Sequence, residues 1–155
     1  MAEYFYTASK PVWPLGLKIA IFASAILLAL STFFYISSNR YADFTCPVVV
    51  ETTAGAPVSI PVRVRNKGHS LMASTEGFFL SGEIAAEGQT TQTELPRAKV
   101  DLAPGRAGVY SLDFIAPPQA GNYLVRIDIV KEHEYWLSDK GNKPAYVRLV
   151  AKDGQ

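Results

Sequence analysis

The sequence has few of the side chains that metal-binding and catalytic proteins use. Its 155 residues include one cysteine and two histidines, which excludes an internal disulfide and the usual structural zinc sites. It also lacks the GxSxG, HExxH, CxxCH and glycine-rich phosphate-binding motifs. We therefore predict a protein that is not an enzyme and has no catalytic, cofactor or metal site.

An excess of charge of one sign is lacking too. Lys and Arg total 15 against 14 Asp and Glu, a formal net charge of +1. Nucleic-acid binding normally needs clustered basic side chains on one face, so we exclude a nucleic-acid partner. The charges are unevenly spread, because residues 1–39 hold three of them and residues 41–155 hold twenty-five. The chain therefore joins two chemically different segments.

The first segment contains a long uncharged run. Twenty-one residues from Ile19 to Asn39 carry no charge, and as a helix they would reach about 30 Å, the thickness of a bilayer core. We predict a transmembrane helix over residues 14–38, between an interfacial segment over 1–13 and a juxtamembrane linker over 39–47. The side chains suited to the membrane interface are Trp13, Lys18, Phe34 and Tyr35.

Basic side chains set the expected orientation of this helix. Lys10 and Lys18 precede the run, whereas Arg40 is followed by Asp43. The positive-inside rule then places the N-terminus in the cytoplasm and residues 41–155 outside the cytoplasmic (inner) membrane, in the periplasmic or extracytoplasmic space. A cleaved signal peptide is the disfavoured alternative, because the run is long for such a leader and no small-x-small cleavage site follows it.

Small side chains recur every four residues along the predicted helix, at Gly16, Ala20 and Ser24. Such a stripe lets a second helix approach closely, so it predicts a helix-packing site. The alternative stays open, since small residues are common in membrane helices.

After Tyr41 the hydrophobic period changes to two. Residues alternate between aliphatic and polar over Val58–Asn66 and over Asn122–Val130, as in half-buried strands. We predict an all-β immunoglobulin-like sandwich of about seven strands over residues 48–155. The other strand candidates are Val48–Glu51, Phe78–Ala85, Ala98–Leu102, Val109–Ile115 and Ala145–Lys152.

The segment around Gly121 and Tyr123 carries the resemblance to known proteins. Gly121-x-Tyr123 matches the tyrosine corner of immunoglobulin-like sandwiches. With TELPRAKVDLAPG before it, APPQAGNYLVRIDIVKEHEYW around it and Gly141 after it, the chain resembles an uncharacterised bacterial extracytoplasmic or glycan-associated sandwich module. That module has an LP…PG…AP…GxYxL..D.V.E…W…G layout, which covers roughly the last sixty residues. The resemblance implies a fold and a compartment, and no enzymatic residues.

Isolated chemical candidates have ordinary interpretations. His133 stands between Glu132 and Glu134, which we interpret as a solvated loop, because no second histidine is near to complete a metal site. Asp128 is expected to pair with basic neighbours at the surface. Cys46 is either a buried thiol, which we favour, or half of an intermolecular disulfide.

Two functions fit these features. The first is a non-catalytic, single-span accessory subunit that docks on and stabilises a larger membrane complex, such as a photosynthetic or respiratory one, with membrane lipid and integral membrane subunits as partners. The alternative is a membrane-anchored binding module for cell-envelope glycan. The contact residues expected under the alternative are Tyr135, Trp136 and Tyr146, although Trp136 also suits a plug at the end of the sandwich.

Overall fold

A computed structural model describes residues 14–37 and 41–154. The chain divides into two compact units, residues 1–36 and 37–155. The first contains helix α1, Leu15–Ser37, which begins just after Pro14, whose fixed backbone angle suits a helix start. In α1 every described side chain is exposed, including Phe22 and Leu28.

The prediction of a transmembrane helix over residues 14–38 is wrong for the described part of the chain, where no helix has the length and apolar character needed to cross a membrane. The side chains predicted to lie at the interface, Trp13, Lys18, Phe34 and Tyr35, fall outside the described ones.

The second unit is a sandwich of two β-sheets. One sheet has the order β1-β3-β7, and the other has the order β2-β10-β8-β4-β5, with β6 on β4 and β9 on β8. Only the pairing of β2 with β10 is parallel among the described strands. The strands are β1 (Ala42–Thr45), β2 (Val49–Thr53), β3 (Pro57–Asn66), β4 (Phe78–Ala86), β5 (Thr93–Glu94), β6 (Ala98–Lys99), β7 (Ala107–Ile115), β8 (Gly121–Lys131), β9 (Tyr135–Trp136) and β10 (Ala145–Lys152). Short 3-10 helices cover Ser74–Glu76 and Leu137–Lys140.

All seven predicted strands have counterparts in this sandwich, and three further strands were not predicted. The unpredicted β1 lies inside residues 39–47, the predicted juxtamembrane linker. The unpredicted β5 and β9 have two residues each. Segments this short carry too little periodicity to be recognised.

The core lies between the two sheets and follows the alternation of the strands. In β3 the side chains of Ile60, Val62 and Val64 are fully buried, and the residues between them are exposed. The Tyr123 hydroxyl donates a hydrogen bond to the carbonyl oxygen of Gln119, 2.9 Å away. This is the bond that a tyrosine corner makes.

Strands β4 and β8 approach closely at Gly82. A Cβ atom placed there would lie 2.3 Å from the backbone carbonyl oxygen of Arg126. Real Cβ contacts are longer, so a larger residue would push two paired strands apart.

We expect Gly82→Ala to lower the free energy of unfolding by about 2 kcal/mol or more, because the clash is with backbone that cannot rotate away. Urea unfolding followed by circular dichroism measures the change. Gly154→Ala is the matched control, since its Cβ would lie 3.4 Å from the Thr53 side chain. Equal unfolding midpoints for Gly82→Ala and the wild type would contradict the close approach.

Candidate functional site

The outer face of the larger sheet brings the polar side chains of three strands together. Alternate residues of β8 point into the core, and the residues between them point outward. Arg126 faces Glu83 of β4 on one side and Tyr146 of β10 on the other. Leu124, two residues before Arg126 on the same face of β8, also pairs with residues of β4 and β10. Side chains from distant parts of the sequence therefore form one surface.

A cavity of about 360 Å³ opens on this surface, and we call it the outer-face groove. Two large hydrophobic side chains form its floor, Leu124 and Tyr146, which are 47% and 53% exposed. Residues of the turn after β4 also line it. Residues lining the groove include Glu83, Glu87, Gln89, Gln92, Leu124, Arg126, Tyr146 and Arg148. Its volume lies at the small end of the range for small-molecule sites, roughly 300–1,000 Å³.

Two ion pairs flank the apolar floor. An Arg126 guanidinium nitrogen lies 2.5 Å from a Glu83 carboxylate oxygen. An Arg148 guanidinium nitrogen lies 3.0 Å from a Glu87 carboxylate oxygen. The first pair is mostly buried, with side chains 24% and 23% exposed, so water screens it less than the second pair.

Trp136 lies beside the groove, on the same face of the sheet. It is half-buried, pairs with Val130 across the ladder, and its ring centroid is 5.8 Å from the Arg126 guanidinium. Val130 is buried although it lies on the outer face. The segment around Trp136 therefore covers this end of the outer face of the sheet.

The three aromatic residues predicted to contact a partner do not form one platform. Tyr146 lines the groove and Trp136 lies next to it. Tyr135 instead packs against the hydrophobic core, and Lys140 lies 5.0 Å from its ring centroid. Sequence reasoning missed Leu124 and the two ion pairs, which join residues far apart in the chain.

The sequence predicts that Asp128 pairs with a basic neighbour at the surface. It does lie beside Arg126, but the surface location is wrong, because its side chain is fully buried. Its carboxylate accepts hydrogen bonds from the backbone N–H groups of Ile129, at 2.8 Å, and Ser138, at 3.0 Å. A guanidinium nitrogen of Arg126 lies 3.7 Å away. Burial raises the pKa of Asp128 above its ordinary value, and the bonds to Ser138 partly oppose that rise. The residue anchors the 3-10 helix after β9 to the sheet.

The remaining predicted residues lie elsewhere. On α1 the hydroxyl of Ser24 donates to the carbonyl oxygen of Ala20, 2.8 Å away, and a Cβ at Gly16 would meet no atom within 4 Å. Cys46 is half-buried against the core, and burial raises the pKa of its thiol, which favours the buried-thiol interpretation. The His133 side chain is 91% exposed, and the described residues contain no cluster of metal-ligating side chains.

Comparisons with known proteins give only distant likenesses to solved structures. No protein-family model matches the chain, and no curated protein matches it. Among solved structures, the CARDB domain of a Pyrococcus furiosus protein is 18% identical, with 73% of this chain and 87% of that chain covered and a TM-score of 0.49. A β-glucosidase from Listeria innocua is 10% identical, with 74% and 17% covered and a TM-score of 0.44.

The immunoglobulin-like β-sandwich therefore rests on the pairing of the strands in two sheets and on the tyrosine corner. The chain spans about a sixth of the β-glucosidase, and at 10–18% identity neither likeness carries a function. The resemblance to an uncharacterised extracytoplasmic module stays a prediction, since no family model tests its layout.

The raised pKa of Asp128 predicts how stability depends on pH. The folded state holds the proton more tightly than the unfolded chain, so stability due to Asp128 is full below the ordinary value of 3.8 and is lost as pH rises through the raised pKa. The free energy of unfolding of the wild type minus that of Asp128→Asn should be smaller at about pH 7 than at about pH 3.5. Urea titrations at both pH values measure it.

Asp113→Asn is the control of opposite sign. Hydrogen bonds from Ser111 and Ser59 lower the pKa of Asp113, so the stability due to it is present above 3.8 and is lost as pH falls. A pH-independent difference between the wild type and Asp128→Asn would contradict the assignment of a buried, proton-retaining carboxyl group.

Proposed function

We propose that this protein is a non-catalytic binding module and that the outer-face groove takes a saccharide of the cell-envelope glycan. The observation that carries this proposal is that the exposed side chains of Tyr146 and Leu124 line the same groove, whose rim is polar. The extracytoplasmic location implied by the sequence resemblance is where such a glycan would be met.

The chemistry of the groove suits a sugar ring. A pyranose has an apolar face of C–H bonds and a rim of hydroxyl groups. An aromatic side chain with a polar tip can cover the apolar C–H face. Amides, guanidinium groups and carboxylates can bind the hydroxyl groups. Tyr146 is that aromatic side chain, and Gln89 and Gln92 supply amides at the turn.

We expect Tyr146→Ala to weaken binding of envelope-derived oligosaccharides about tenfold, because the stacking surface is removed. Isothermal titration calorimetry on the full chain measures the affinity. Tyr146→Phe keeps the ring and should bind within a fewfold of the wild type. Tyr41→Ala, at an exposed tyrosine outside the groove, should change nothing. Equal affinity of Tyr146→Ala and the wild type would rule out this groove as the glycan site.

A second function is favoured by a different observation, which is the exposure of α1. Its described residues are mainly apolar, and all of them are exposed. A helix that is apolar on every side is normally covered in its working environment. We propose that apolar surfaces of partner subunits cover α1 and that the protein is an accessory subunit of a larger membrane complex.

Bulky side chains on the small-residue stripe test this second function. We expect Ala20→Ile combined with Ser24→Ile to reduce co-purification with partner subunits several-fold after mild detergent extraction, because close helix approach needs small side chains. Phe22→Leu with Ile26→Leu, on the opposite side of the helix, is the matched control. Unchanged recovery of partners with the stripe variant would count against packing through Gly16, Ala20 and Ser24.

A further inference from the structure

We infer that the outer-face groove selects uncharged saccharides and that its two ion pairs are the elements that bind the sugar hydroxyls. This inference rests on the proposed glycan-binding function and deepens it by naming the ligand class. It begins from the charges around the groove. The two carboxylates, Glu83 and Glu87, are matched by the two guanidinium groups, Arg126 and Arg148, so these four side chains have no net charge.

The distances show that each of these charges already has a partner. Glu83 lies 2.5 Å from Arg126, and Glu87 lies 3.0 Å from Arg148. An acidic sugar would place its carboxylate beside Glu83 or Glu87, or would displace one of them from its guanidinium group. An amino sugar would do the same to a guanidinium group. Like-charge repulsion or the loss of a partner then costs free energy, chiefly at the mostly buried Glu83–Arg126 pair. Charged saccharides are therefore disfavoured.

A neutral sugar meets no such conflict. A paired carboxylate keeps free lone pairs and a paired guanidinium keeps free N–H groups, so each ion pair presents an acceptor beside a donor. Each sugar hydroxyl both donates and accepts, and two neighbouring hydroxyls match that arrangement. Hydrogen bonds to charged groups are stronger than those between neutral groups, so the pairs bind hydroxyls without separating.

The register of the strands places both pairs around the apolar floor. Tyr146 lies directly across the ladder from Arg126, and Arg148 follows it two residues later on the same face. Leu124 lies across from Arg148. Arg126 and Arg148 are therefore each next to both Tyr146 and Leu124, and a ring covering Tyr146 and Leu124 would have one ion pair on each side.

Substitutions in the exposed Glu87–Arg148 pair should leave the protein folded. The side chains of Glu87 and Arg148 are each 56% exposed, and exposed pairs contribute little to stability. The Lys152–Glu51 pair provides a matched control outside the groove, with both side chains 61% exposed.

The test is a calorimetric titration of the full chain with three matched oligosaccharides, one neutral, one carrying a uronic acid and one carrying an amino sugar. Any detergent added to cover the exposed α1 must lack a sugar headgroup, because such a headgroup would compete with the oligosaccharides for the groove. We expect the neutral ligand to bind at least about tenfold more tightly than either charged one. Its affinity should be nearly independent of salt, since no net charge is neutralised on binding.

Variants then assign the selectivity to the ion pair. Glu87→Gln leaves Arg148 without its carboxylate, so we expect weaker binding of the neutral ligand and stronger binding of the uronic acid ligand. Arg148→Gln should shift the preference toward the amino sugar. Glu51→Gln should leave all three affinities unchanged.

The outcomes separate the two levels of the proposal. Tight, salt-sensitive binding of a charged ligand, with the neutral one weaker, would overturn the selectivity and leave the glycan-binding function standing. Absence of binding to all three ligands by a folded protein would overturn the proposed function and the selectivity with it.

Discussion

The register of strand β8 is the constraint on which the rest of the sandwich depends. Its residues Val125 and Ile127 are fully buried, and Arg126 between them faces outward. A slip of one residue would put the guanidinium into the core and the aliphatic side chains into solvent, which is costly on both counts. The close approach of β4 at Gly82 holds this register, as does the hydrogen bond that buried Asp128 accepts from the Ser138 backbone N–H after β9.

The same strand divides its outer face into a covered end and an open end. At the covered end, Asp128 and Val130 are buried beneath the segment that contains Trp136. At the open end, Leu124 stays exposed and floors the groove. Arg126 lies at the boundary, near the Trp136 ring on one side and bonded to Glu83 on the other. Contacts at the covered end therefore orient Arg126, which also lines the groove at the open end.

The sequence predicted the sandwich better than it predicted the groove. Period-two alternation identified β3 and β8, because a half-buried strand must alternate. It missed β1, whose four residues are mixed in character. Of the three predicted contact aromatics, only Tyr146 lines the groove. A prediction from local pattern cannot tell that Tyr135 faces the core, because β9 has two residues and its facing depends on how it pairs with β8. The length of the apolar run led to a predicted membrane span that the described helix does not support.

By itself, the sequence determined the division into an apolar helix and a β-rich segment, the identity of the main strands and the tyrosine corner. Hydrophobic period and turn residues encode these features locally. Only the tertiary structure decided that Glu83, Arg126 and Tyr146 lie in one row and that Asp128 is buried. The physical reason is that strand pairing joins residues tens of positions apart, and burial depends on which segment covers a face. Neither is encoded in any one stretch of the chain.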